Sequence, residues 1–207
     1  MKLRKLLILF LAAVLLFSLC ACASEPDVLS EAEITALRET YPTIDTIPNG
    51  SISFEQAIYS FGSIVIAEVS GDWETSYNRA YLPLTVEKVL YGNDTLSQGD
   101  EIRIFQGSTQ LSSFEYYDVK LGGRYIFFIS PGQDNSAYYD DSVFGGSMTA
   151  AAYITEGDYV LPTAENGPFA EQEGYALASY EEVLPKLIKA AQKANEGKTR
   201  EEILYAE

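Results

Sequence analysis

Histidine is absent from the 207 residues, and the only two cysteines are Cys20 and Cys22. Ser-His-Asp and Cys-His catalysis are therefore excluded, with every metal site that needs imidazole. Carboxylates are the abundant reactive groups: 30 Asp and Glu face 14 Lys and Arg, for a net charge of −16. Carboxylates alone can hydrolyse glycans or hold hard cations, but no pair stands out by its spacing. Asp134-Asn135 with Asp140-Asp141 is a weak calcium candidate, because Ser136 and Ser142 stand where an EF-hand places ligands. Gly197-Lys198-Thr199 matches the tail of a phosphate-binding loop, but Gln192 replaces its first glycine and a helix precedes it. The acidic excess repels phosphate backbones, so no nucleic-acid partner is expected, and no cofactor is implied.

Aromatic residues carry the stronger binding signal. There are 15 tyrosines and one tryptophan, and Trp73, Tyr77, Tyr116, Tyr117, Tyr138 and Tyr139 fall in expected loops. Loop aromatics stack on sugars or anchor a protein partner. They serve equally as staples that pin long loops to the body of a domain.

At the N-terminus Lys2, Arg4 and Lys5 precede an apolar run from Leu6 to Leu19, the grammar of an export signal. The run is too short for a comfortable membrane span, which takes about 20 residues. Leu19-Cys20-Ala21-Cys22 resembles the lipobox of bacterial lipoproteins, with Leu at −3 and a small residue at −1. That resemblance implies removal of residues 1–21, a lipid on Cys22, and a domain on the outer face of a bacterial cell membrane. An ordinary signal peptide and an uncleaved anchor helix are the alternatives. Cleavage before Cys22 leaves 186 residues with 11 basic and 30 acidic side chains, a net charge of −19. The remaining thiol would be consumed as a thioether, and two further acyl chains would make the anchoring stable.

The elements that must position these residues follow in order. Residues 22–50, broken by Pro26, Pro42 and Pro48, read as a tether with a short helix begun by the Ser30–Glu33 capping box and carrying Ile34 and Leu37. A second box, Ser53–Gln56, starts a helix with Phe54, Ala57, Ile58 and Phe61 on one face. Strands are expected at Ser63–Val69, Tyr81–Tyr91, Glu101–Gln106 and Arg124–Ser130, then a hairpin over Ala151–Leu161 turning at Glu156-Gly157-Asp158. The apolar phase of Tyr81–Tyr91 slips after Val86, which predicts a β-bulge near Glu87-Lys88. Two long polar loops, Gly107–Gly122 and Pro131–Gly146, separate the later strands. From Ser179, read as a cap with Glu182, an amphipathic helix presents Val183, Leu184, Leu187, Ile188 and Ala191, with Lys186, Lys189 and Lys193 as a solvated opposite face.

Four phrases in order, SIVIAEV, LTVEKVLYG, GDEIRI and LGGRYIFFI, are similar to surface lipoproteins of Gram-positive bacteria and to the netrin-like domain of tissue inhibitors of metalloproteinases. The resemblance spans Phe54 to Leu161 and implies an all-β fold with flanking helices, a five- to six-stranded oligonucleotide/oligosaccharide-binding (OB) type barrel. The inhibitors' N-terminal cysteine wedge does not transfer, because Cys22 lacks a partner cysteine and lies about 40 residues before the first strand. The expected organisation is a signal peptide (1–21), a tether (22–50), a barrel domain (51–178) and a C-terminal helical segment (179–207). The expected function is a membrane-anchored, non-enzymatic module that binds a peptide, glycan or protein partner. An envelope-spacing role and a carboxylate- or metal-dependent hydrolase are the alternatives.

Overall fold

Two strands of this protein are almost continuously apolar, and the computed structural model shows them covered on both faces. Residues 26–44, 52–76, 79–92, 94–108, 119–131 and 143–205 are described. In chain order they form helices α1 (Glu31–Arg38) and α2 (Phe54–Phe61), then strands β1 (Ser63–Val69), β2 (Glu74–Ser76), β3 (Arg79–Tyr91), β4 (Glu101–Ser108), β5 (Arg124–Pro131), β6 (Val143–Ile154) and β7 (Val160–Pro162). A 3₁₀ turn (Ala170–Gln172) and helices α3 (Leu177–Asn195) and α4 (Arg200–Leu204) follow. The fold is mostly strand, in one mixed sheet with a few helices.

Alternation along β1 explains its composition. Val65, Ala67 and Val69 join one buried cluster with Leu82, Leu84, Ile104, Phe127 and Met148. Ile64 and Ile66 point the other way, into a second cluster with Ala57 and Ile58 of α2 and Leu184, Ile188 and Ala191 of α3. On β5 Phe127 and Ile129 take the first side, Ile126 and Phe128 the second. A strand with helices on one face and apolar side chains of β3, β4, β5 and β6 on the other has no polar side to offer. Fully burying each such side chain stabilises the fold by roughly 1.5–3 kcal/mol.

β1 pairs antiparallel with β3 and with β5. β3 pairs antiparallel with β4, and β5 with β6. β4 and β6 run parallel through Arg103–Val143, Ile104–Phe144 and Phe105–Gly145. The short strands β2 and β7 extend β3 and β6. The expected bulge is present: Ile66 faces Lys88 and Ala67 faces Val86, so Glu87 is the extra residue. A second residue, Leu90, is skipped between the partners of Val65 and Ile64. Both bulges bend β3 as it passes β1.

Four expectations are corrected. Residues 143–146, read as the end of a loop, begin β6; the two glycines are there because neighbours press on the backbone. A Cβ on Gly145 would lie 2.7 Å from Ser130 Oγ, and one on Gly146 3.3 Å from Ile104. Gly107 and Ser108, read as the start of a loop, continue β4, and β2, three residues without a pattern, adds to the expected strands. Ser179 does not cap α3, which starts at Leu177; its hydroxyl accepts instead from the Asp27 amide at 3.0 Å. Finally, Asp27–Ile44, within the expected tether, is docked. Leu29 N donates to Gly174 O, Ala176 N to Asp27 O and Ile44 N to Thr163 O. Arg38 pairs with Glu173, while Ile34, Leu37, Tyr41 and Ile44 pack on the first core cluster. Prolines broke the pattern, but the apolar residues between them found a surface.

Candidate functional site

The docked segment and the sheet enclose a cavity between them. Tyr125 of β5 and Tyr153 of β6 are direct cross-strand partners, with ring centroids 5.2 Å apart. Tyr41, just beyond α1, lays its ring 5.5 Å from that of Tyr153. Hydrogen bonds hold the three elements in place: Tyr153 Oη donates to Pro42 O at 3.0 Å, and the Glu156 amide donates to Tyr41 Oη at 3.2 Å. The remaining wall is the Lys120–Arg124 turn together with Thr155 and Glu156. The volume is about 660 Å³, within the range of small-ligand sites.

Arg124 sets the electrostatics of one side. Its Nε donates to both oxygens of Glu87 at 2.9 and 3.0 Å, and Nη1 donates to Asp158 Oδ1 at 2.7 Å. Burial works against the guanidinium charge, but hydrogen bonds and charges from Asp158 and Glu87 outweigh it and hold its pKa above the ordinary value. Glu87 is the bulged residue, so the strand irregularity puts its carboxylate beside Arg124. Asp158 sits in the β6–β7 turn with φ 59°, a conformation that Asp tolerates better than most residues. Lys120 is exposed and forms no ion pair with any described residue. The cavity thus offers the half-buried ring of Tyr41, the narrow exposed margins of the otherwise buried Tyr125 and Tyr153, a hydroxyl, one carboxylate at Glu156 and, at Lys120, a cation without an ion-pair partner among the described residues. Such a surface can bind a flat or apolar group carrying a negative charge.

A second aromatic pair lies on the opposite face of β3–β4 from Leu82 and Ile104. Tyr81 and Phe105 are cross-strand partners with centroids 6.0 Å apart. Arg79 stacks 5.5 Å from Phe105 and Arg103 5.7 Å from Tyr81. Those ring faces are already occupied by the chain's own cations, and Tyr81 is buried.

Of the loop aromatics, Trp73 is described: it is half-buried and packs on the first core cluster. Tyr77, Tyr116, Tyr117, Tyr138 and Tyr139 lie outside the described residues, as do Asp134, Asp140, Asp141 and Cys22. Among the described residues no group of three or more Cys, Asp or Glu is placed to hold a metal ion, and no helix is long and apolar enough to cross a membrane. Thr199 of the phosphate-loop look-alike caps α4, its hydroxyl accepting from Glu202 N. Tyr41, Tyr125 and Tyr153 were not foreseen as a site, since they stand in or beside regular elements more than 25 residues apart in the chain. A tyrosine inside an apolar strand run, as in RYIFFI and AAAYI, is the trace the sequence carries of two of them.

Compared with known proteins, the chain matches no family model and no curated protein.

Proposed function

We propose that this chain is a lipid-anchored, outward-facing binding module, built on a five-stranded OB-type barrel, which takes a ring- or side-chain-sized group of an extracellular peptide, glycan or protein partner. One observation carries the binding reading: the cavity of about 660 Å³ floored by Tyr41, Tyr125 and Tyr153 and rimmed by Lys120. Barrel closure is supported by the pairings of the five long strands, which run β1–β3–β4–β6–β5 and return to β1, with β4–β6 the parallel pair. Anchoring is supported by the n-region, apolar run and Leu19–Cys22 phrase. A sequence without histidine, and without a free thiol once the Cys22 sulfur is held in a lipid thioether, favours binding over catalysis.

The cavity is tested by NMR titration of the fragment starting at Ala23 with short anionic and aromatic peptides and with oligosaccharides. Ring resonances of Tyr41, Tyr125 and Tyr153 should shift, and Thr40→Trp at the cavity wall should suppress the shifts. Perturbations confined to other tyrosines, or none, would reject this site. Anchoring is tested by Cys22→Ser, which should release the protein into the medium or leave it uncleaved. Membrane retention of a correctly cleaved variant, with no lipid mass on the wild type, rejects it. A structural, envelope-spacing role is favoured by one observation, the packing of Trp73 onto the core.

A further inference from the structure

We infer that the edge formed by Val28, Tyr175 and the first turn of α3 faces the bilayer, held there by a very short leash. The inference rests on the proposed lipid at Cys22 and concerns what the fold does with it. Asp27 is sewn into the domain from three sides: its amide donates to Ser179 Oγ at 3.0 Å, its carbonyl accepts from Ala176 N at 2.8 Å, and Val28 bridges to Tyr175. Only five residue steps separate Cys22 from Asp27. Fully extended they reach about 17 Å, less than the diameter of a domain this size. A tether running to residue 50 would let the domain tumble freely; a five-residue one does not.

The edge nearest the anchor suits that position. Val28 is 43% exposed, one of four large apolar side chains in that state among the described residues, and Tyr159, Tyr175 and Leu177 around it are half-buried. Tyrosine and aliphatic groups are favoured at the boundary between head groups and acyl chains. The net charge of −19 after cleavage disfavours the rest of the surface against anionic lipid. The cavity belongs to the same end of the molecule: Asp158, whose carboxylate holds Arg124, accepts through its carbonyl from Leu177 N at 2.7 Å. A ligand of that cavity is therefore met close to the membrane surface.

The test uses the full chain, processed in a Gram-positive host and reconstituted in neutral phosphatidylcholine vesicles containing a nickel-chelating lipid. Ala178→Cys and Ala194→Cys each place a nitroxide on an exposed position of α3, about 24 Å apart along its axis. Relaxation enhancement by the nickel lipid should be several-fold greater at position 178 than at 194. A Gly/Ser insertion of about 20 residues between Ser24 and Glu25 should erase the contrast, since such a linker is flexible. Equal enhancement at both positions in a chain whose lipid mass is confirmed overturns the orientation and leaves the anchoring intact. A mature chain with no lipid mass overturns the anchoring, and the orientation with it.

Discussion

At Arg124 a single side chain joins three elements, β5 to the bulge of β3 and to the β6–β7 turn. Arg124→Met keeps the aliphatic stem and removes the fork. Glu87 and Asp158 then face each other without a counter-ion. The side chain is 35% exposed, so solvent screening reduces the expected loss to about 1 kcal/mol. Urea melts in low and high salt check this: the difference between wild type and variant should shrink as salt rises. Tyr180 presents the opposite case. Its hydroxyl is fully buried in the helix-side cluster without a hydrogen-bond partner among the described residues, and burial raises its pKa. Tyr180→Phe removes an unpaired polar atom and leaves the ring contact with Phe169, 5.9 Å between centroids, in place. Thermal melting should show stability unchanged or raised by up to about 1 kcal/mol. A clear loss instead would reveal a water bound to that hydroxyl.

Helix starts and tight turns make separable predictions at the scale of elements. Three helices begin with a full capping box, Ser30–Glu33, Ser53–Gln56 and Thr199–Glu202. Side-chain and then backbone hydrogen bonds from Ser30 lower the Glu33 pKa; backbone and then side-chain bonds from Thr199 lower that of Glu202. A lowered folded-state pKa means the stabilisation is present above the ordinary carboxylate pKa and is lost as pH falls through the depressed value. Amide resonances of Ser30 and Thr199 should therefore titrate below the ordinary glutamate range, while that of Ser53, capped by an amide, stays put. Two glycines after strands or turns differ in kind. Gly92 has φ 83°, and a Cβ there would come within 2.4 Å of Gly62 O; Gly99 has φ 92° but open space around it. Gly99→Ala should destabilise by about 1–2 kcal/mol from the left-handed backbone alone. Gly92→Ala should lose clearly more, because backbone must move at the junction of α2 and β1. Parallel denaturation curves rank the pair.

At the scale of the whole molecule, the segment from Asp27 to Ile44 decides how the domain is closed off. Arg38 holds it: the guanidinium pairs with Glu173 and donates to the carbonyls of Pro162 at 2.8 Å and Tyr41 at 3.2 Å. Arg38→Ala should lower hydrogen-exchange protection at the Leu29 and Ile44 amides about tenfold, a local loss of about 1.4 kcal/mol. Amides of β1 and β5 should keep their protection. Unchanged exchange at Leu29 and Ile44 would mean that apolar contacts alone dock the segment. The same segment supplies Tyr41 to the cavity, so loosening it should also weaken any ligand bound there.

The spans of α2, β1 and, to within one residue, β5, the start of β4 and the bulge at Glu87 were legible in the sequence. Each is written in neighbouring residues: a capping pair three apart, a period of two, a phase slip of one. The expected loop aromatics and the carboxylate cluster were legible only as residue types, and of these Trp73 turned out to pack on the core. The start of β6 was misread because Gly145 and Gly146 look like a turn; only the closeness of Ser130 and Ile104 explains them. Ser179 offered a plausible local cap, and a residue 152 positions away took its hydroxyl instead. The cavity was invisible for the same reason, since Tyr41, Tyr125 and Tyr153 share no spacing. Local periodicity determines what kind of element a segment becomes. Which distant segments meet is decided by burial and by hydrogen bonds that exist only after the chain has folded, and that choice placed the docked segment, the parallel β4–β6 pair and the cavity.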